Sequence, residues 1–369
     1  MNVAVLVCGG TIVGLRGSRS LAIRSRRGAG ELVKELCRRI EGVQITVREV
    51  LDLLSEDMHP THWRRIAQEA GMAIRTGANG IMILHGTYTV AYTAAALTYM
   101  LRGAPAPIIL TGSVLPIEED AATARMVLSA SIMALRKLTK YPGLYFAFTR
   151  ATGTSREYFA DANGRASSKS QDNEAVALIK GTRVRKTHSW RRDCFHSIHE
   201  PEIGTIISSR VTLFKDRLRA ASWTPTDQFC PAVKLDERVA LLKAYPGMSA
   251  ETIGHIANGN YAGLVIEGYA DGTLPTGRDY SLLGSIQEVV KAEIPVFVTS
   301  GPIGRATLSA YVGGSKLRRI GATPLGDMTT EAAVVKLMWV LGDSTSVQET
   351  KRRMLLNLAG EISGSLTET

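Results

Sequence analysis

Short apolar runs that stop at glycine or a small polar residue constrain this chain most: VAVLVCGG (3–10), GIMILHG (80–86), PIILTGS (107–113) and LYFAFT (144–149). Runs of this length, unbroken by polar residues, read as strands buried on both faces. Helical patterns separate them at 30–41, 60–75, 89–102 and 120–139, with Pro60 in a first turn and Asp120 as a cap. An alternating stretch at 44–50 adds one more strand. The order predicts an α/β fold with a parallel sheet and helices on both faces. Gly9-Gly10-Thr11, Gly86-Thr87 and Gly112-Ser113 then leave the sheet at one edge, the C-terminal edge, where open α/β sheets bind ligands.

The pattern breaks near 200–236, which contains Pro201, Pro225 and Pro231, and resumes with RVALLKAYPG (238–247), AGLVIEGYADG (262–272) and PVFVTSG (295–301). Helices are expected near 249–259, 279–291, 329–341 and 345–361. This gives a larger N-terminal domain over 1–205, a connecting segment over 206–235 and a smaller α/β domain with terminal helices over 236–369. A length of 369 residues suits two domains.

Several function classes drop out. No apolar run approaches the ~18 residues of a transmembrane helix. MNVAVLVCGGTI has no basic leader segment and reads as a buried strand, not a signal peptide. The four cysteines form no C-x-x-C pair, as expected of reduced thiols in a cytoplasmic protein. His59 and His62, like His196 and His199, are three apart but lie outside any H-E-x-x-H frame, so no metal is expected. No phosphate or dinucleotide fingerprint occurs, and no organic cofactor is expected. The net charge of +10 suits either an anionic partner or simple solubility.

Seven motifs in one order are specific: GGTI (9–12), SEDM (55–58), HGTYT (85–89), ILTGS (109–113) followed by Pro116, GTRVRK (181–186), GYADGTLP (268–275) and GDMTTEAAVVKLMWVLG (326–342). The chain resembles bacterial-type L-asparaginases. Through GTRVRKTHSWRRDCF (181–195) and KLMWVLG (336–342) it resembles above all the asparaginase-like D subunit of archaeal glutamyl-tRNA(Gln) amidotransferase. That relative carries a further N-terminal domain, which this sequence, beginning at the GGTI strand, is expected to lack. The resemblance implies a two-domain asparaginase-like α/β fold and hydrolysis of a linear side-chain amide through an acyl-enzyme. It assigns catalysis to Thr11, Thr87 and Lys186, and substrate binding to Gly10, Ser55, Glu56, Gly86, Tyr88 and Ser113. It also implies a mobile loop over the site and a homodimer or tetramer in which a neighbouring subunit closes the site. The amidotransferase branch adds a tRNA or an amidotransferase partner.

The chemistry needs such a trio. A threonine hydroxyl is a weak nucleophile until a neighbouring base takes its proton, and a desolvated lysine can be neutral enough to do so. The plainer reading is that both threonines only cap the turns that follow them. His85 is expected to brace its loop by hydrogen bonding.

The departures from the family pattern bear on substrate. The aspartate of HGTDT is Tyr88, usual glycine and asparagine positions hold Ala270 and Thr273, and another asparagine is Ala124. No tyrosine lies between 12 and 87 to serve as the lid's. A carboxylate that pairs with an α-ammonium is gone, so free asparagine is not the expected substrate. The lid segment instead holds Arg16, Arg19, Arg24, Arg26 and Arg27 and no acid, and Arg183, Arg185, Arg191 and Arg192 surround Lys186. These clusters fit a large or anionic substrate, or they are solvated faces without a ligand. The readings carried forward are a hydrolase of a specialised or carrier-linked amide, a glutaminase-type subunit feeding ammonia to a partner, and a non-catalytic scaffold.

Overall fold

The computed structural model of the protein describes residues 1–16, 23–24, 30, 33–35, 41–117, 119–150, 175–189 and 191–364. The expected helix over 30–41 lies outside them apart from residues 30 and 33–35, which are helical. Arg19, Arg26, Arg27 and Trp190 also lie outside. The chain forms two compact units, Met1–Val233 and Lys234–Thr369.

The first unit is built on an eight-stranded sheet. Its parallel part is β1 (Asn2–Val7), β4 (Gln44–Glu49), β5 (Gly80–Leu84), β6 (Ile108–Thr111) and β7 (Leu144–Arg150), in the spatial order β4-β1-β5-β6-β7. Two short strands, β2 (Leu15–Arg16) and β3 (Ile23–Arg24), pair separately and antiparallel. The residues of β1, β5 and β6 are buried almost throughout, as the unbroken apolar runs require. Helices α1 (Pro60–Arg75), α2 (Val90–Met100) and α3 (Ala121–Lys137) join these strands. Val127, Leu128, Ile132 and Leu135 of α3 share one core with Val3, Val5, Val7, Met82 and Ile109. Asp120 caps α3, its carboxylate accepting from the Thr123 N–H at 3.1 Å. His59 and His62 cap α1: His62 Nδ1 accepts from the His59 N–H (3.0 Å) and His59 Nδ1 from the Thr61 N–H (3.4 Å).

The sheet is not parallel throughout. β8 (Ala175–Lys180) runs antiparallel to β7, and a hairpin of β11 (Gly204–Ile207) and β12 (Arg210–Leu213) extends the sheet beyond it. A second hairpin, β9 (Val184–Lys186) with β10 (Phe195–Ser197), stands apart from it. Within the segment read as an irregular connection over 206–235, β12 and α4 (Lys215–Ala221) belong to the first unit.

The second unit has a four-stranded parallel sheet, β13 (Val239–Lys243), β14 (Gly263–Gly268), β15 (Val296–Ser300) and β16 (Thr323–Pro324). Helices α5 (Ala250–Asn258), α6 (Leu283–Lys291), α7 (Val312–Arg319), α8 (Thr330–Leu341) and α9 (Val347–Leu355) accompany it. On α8, Lys336 is fully buried and its ammonium lies 2.6 Å from the equally buried Glu361 carboxylate. The same ammonium donates to the Met354 carbonyl at 2.9 Å, while Glu361 accepts from the Leu358 and Ala359 N–H groups. One ion pair thus fastens the end of the chain to α8. Lys336→Met alone strands a buried carboxylate and is expected to cost about 3–5 kcal/mol. Adding Glu361→Leu should recover much of that loss in urea unfolding, whereas strictly additive losses would show that the two groups are not coupled.

Candidate active site

Strand register brings the three glycine turns together. Val7 lies beside Leu84, and Leu84 beside Thr111, so β1, β5 and β6 end level with one another. The ladder continues one step further, with the Cys8 N–H on the Leu84 carbonyl and the His85 N–H on the Thr111 carbonyl, both at 2.9 Å. After β1 the chain turns to β4 on one side and later to β5 on the other, so β1 and β5 border a topological switch point.

Two glycines let the turns touch. Gly10 has φ +82°, a conformation that L side chains rarely adopt, and a Cβ there would overlap the Gly86 nitrogen and Cα. A Cβ on Gly86 would in turn overlap Ser55. Ser55 is buried at the start of a tight turn, Ser55–Asp57; its Oγ accepts from the Tyr88 N–H at 3.1 Å and its carbonyl from the Thr89 hydroxyl at 2.7 Å. Thr11 and Thr87 follow the two touching glycines directly.

Thr87 is buried, and the Lys186 amine lies 2.9 Å from its Oγ1. Lys186 ends β9, opposite Phe195 in the hairpin. Its Nζ is 4.7 Å from the centre of the Tyr88 ring and 5.9 Å from that of Phe195. Burial lowers the lysine pKa, with the neighbouring Cys194 acting the other way. Burial also pushes the Cys194 thiol up to about 12, so it stays protonated at neutral pH. Neither threonine caps a helix through its side chain among the described residues: the turn at Thr11–Val13 has no side-chain cap, and the Thr87 hydroxyl faces Lys186.

A cavity of about 480 Å³ opens beside Lys186, lined by Tyr88, Lys186, Thr187, His188 and Ser189. The Tyr88 phenol is 56% exposed and lies at this mouth, its ring against the lysine. The structure therefore brings together Gly10, Ser55, Gly86, Thr87, Tyr88 and Lys186, with half-buried Thr11 next in the chain. Two expected residues stand aside. Ser113 is buried, but its hydroxyl donates to the Leu115 carbonyl of its own loop. Glu56 is exposed and, among the described residues, bonds to none of the cluster.

Three arginines of the basic cluster around Lys186 pair with carboxylates of the protein. Fully buried Arg183 pairs with Glu200 at 3.4 Å, and Lys180 reaches the same carboxylate. Arg191 forks onto Asp193 at 2.8 and 2.7 Å. Arg192 joins Asp120 at 2.7 Å and the Thr123 hydroxyl at 3.0 Å. Arg183, Arg191 and Arg192 are thus each engaged with a carboxylate of the protein itself. Among the described residues, no three His, Cys, Asp or Glu side chains converge where a metal could sit. Sequence reasoning gave no role to Thr89 and Phe195, although both lie within the quoted motifs, and missed Thr93, whose only signal was its place one helical turn after Thr89.

Comparison with known proteins places the chain in a family. A family model described as asparaginase, N-terminal, matches residues 2–219, and one described as glutaminase/asparaginase C-terminal domain matches 238–354. The D subunit of the Pyrococcus furiosus glutamyl-tRNA(Gln) amidotransferase is 36% identical over 367 residues, 98% of this chain and 76% of that protein. An L-asparaginase of Thermococcus kodakarensis is 32% identical over 366 residues, 99% of this chain and all of that protein. The solved structure of the thermostable L-asparaginase from Thermococcus kodakarensis superposes with a TM-score of 0.82 over 99% of this chain and 100% of its own. L-asparaginase I of Vibrio cholerae, 23% identical over 98% of this chain and 99% of its own, shares the fold at a TM-score of 0.74. The chain belongs to the asparaginase family of amidohydrolases.

Proposed function

We propose that this family member hydrolyses a linear amide other than free asparagine, through an acyl-enzyme on a threonine. The observation that carries this is the 2.9 Å contact between the Lys186 amine and the Thr87 hydroxyl. A neutral Lys186 takes the hydroxyl proton, and a threonine oxygen of the Thr11–Thr87 pair attacks the amide carbon. The C–N bond breaks as the nitrogen collects a proton from the lysine ammonium. Water then cleaves the ester and restores the hydroxyl. Backbone N–H groups of the Gly-Thr turns hold the oxyanion. Burial favours this scheme by lowering the lysine pKa.

Tyr88 and the cavity shape the substrate reading. The lining offers a phenol, an amine, an imidazole and two hydroxyls, with no carboxylate among the described residues. An α-ammonium next to the scissile amide finds no counter-charge there. An N-acylated or carrier-linked amide fits better. The proposal includes a cytoplasmic homodimer or tetramer. A second reading, a glutaminase-type subunit that passes ammonia to an amidotransferase partner acting on tRNA, draws on the 36% identity to the Pyrococcus furiosus protein. Turnover of glutamine only in the presence of such a partner would favour it.

Two measurements test the main reading. Thr87→Ala and Lys186→Met should each lower amide turnover about 10³-fold or more, and the double variant should lose little further, because the two groups act as one unit. The base must be neutral, so kcat/KM should rise with pH to a midpoint below the ordinary lysine value of 10.5, and the rise should vanish in Lys186→Met. Wild-type rates in either variant would remove the mechanism. Tyr88→Asp should shift kcat/KM toward asparagine over N-acetylasparagine by about tenfold, the worth of one charge-assisted hydrogen bond; an unchanged ratio would contradict the role given to the phenol.

A further inference from the structure

His85 precedes the Gly86-Thr87 turn and is 1% exposed. Its Nδ1 lies 2.7 Å from the Gly86 carbonyl. A carbonyl only accepts, so Nδ1 carries a proton. Its Nε2 lies 3.0 Å from the Thr93 hydroxyl, and the Trp63 indole N–H, which only donates, lies 2.9 Å from the same hydroxyl. The indole therefore occupies one lone pair of Thr93. With Nδ1 protonated, Nε2 of a neutral ring has only a lone pair, so in that state the Thr93 hydroxyl donates to it. The chain of donors runs Trp63 to Thr93 to His85 to Gly86. Of the two neutral tautomers it admits one, with the proton on Nδ1 and the Nε2 lone pair engaged by Thr93. Burial of the ring keeps it neutral, pushing the imidazole pKa down to about 4.

This relay ends on the Gly86–Thr87 peptide. The C=O and N–H of a trans peptide point in opposite directions, and the chain has no cis bonds among the described residues. The Gly86 carbonyl points at the buried imidazole, so the Thr87 N–H points away from it. Among the described residues that N–H has no hydrogen-bond acceptor, although Thr87 is buried. A buried backbone donor without a partner beside a hydroxyl and an amine is a place for a ligand oxygen.

We propose that His85 is a positioning residue that holds the Gly86 carbonyl inward and so aims the Thr87 N–H at the substrate's developing oxyanion. The oxyanion rests on the hydrolase reading above; the tautomer and the peptide orientation do not. Imidazole ¹⁵N spectra of the labelled protein should show His85 as the Nδ1–H form, unchanged from pH 5 to pH 8. An Nε2–H form, or titration in that range, would overturn the proposal. His85→Asn keeps a donor for the Gly86 carbonyl and should leave the Thr87 amide resonance near its wild-type position, while His85→Leu should move it. An unmoved resonance in His85→Leu would also overturn it. Should His85→Leu not fold, Thr93→Val, which removes the partner of Nε2, must disturb the imidazole signal or the relay is wrong. With asparagine, glutamine and N-acetylasparagine as probes, His85→Leu should lose about 10²-fold in kcat with KM within about threefold, and His85→Asn should recover most of it. Wild-type protein that hydrolyses none of the three would count against the hydrolase reading, while the spectra would still decide the relay.

Discussion

The candidate site depends on the contact of two backbones, Gly10 on Gly86, with Ser55 against the second. Side chains at either glycine would drive apart the turns that carry Thr11 and Thr87. Parallel register supplies the approach, because β1 and β5 end level. Glycine supplies the last few ångströms. Residues far apart in sequence thus become neighbours without any flexible loop having to find its place.

Around that contact, charge is arranged sparingly. The Lys186 amine meets one hydroxyl and two aromatic rings, and no carboxylate pairs with it among the described residues. Burial there works against the ammonium, while the Tyr88 ring face favours it. Arg183, Arg191 and Arg192 are tied to Glu200, Asp193 and Asp120.

What the sequence disclosed was local. Unbroken apolar runs marked β1, β5, β6 and β7, and the glycine turns after them marked the edge where the site lies. Asp120 was legible as a cap because capping acts over three residues. What it hid was pairing across distance. β8, β11 and β12 join the sheet antiparallel, and nothing in these short stretches names their partners. Arg183 reads as part of a basic surface in sequence, yet the fold buries it beside Glu200, seventeen residues on. Ser113 sat in the expected motif, yet its hydroxyl turns to its own loop. The helix VGGSKLRR escaped notice because its paired glycines carry poor helix propensity. The arginines Arg19, Arg26 and Arg27 of the lid segment lie outside the described residues.

The central claim is covalent: an acyl group passes through a threonine next to Gly10 or Gly86. Acid-quenching the protein during amide turnover and mapping its peptides by mass tests this most directly. The account predicts the acyl mass on the peptide holding Thr11 or on the one holding Thr87, and its loss in Lys186→Met. Sustained turnover with the acyl group on neither threonine, or on some other residue, would contradict it.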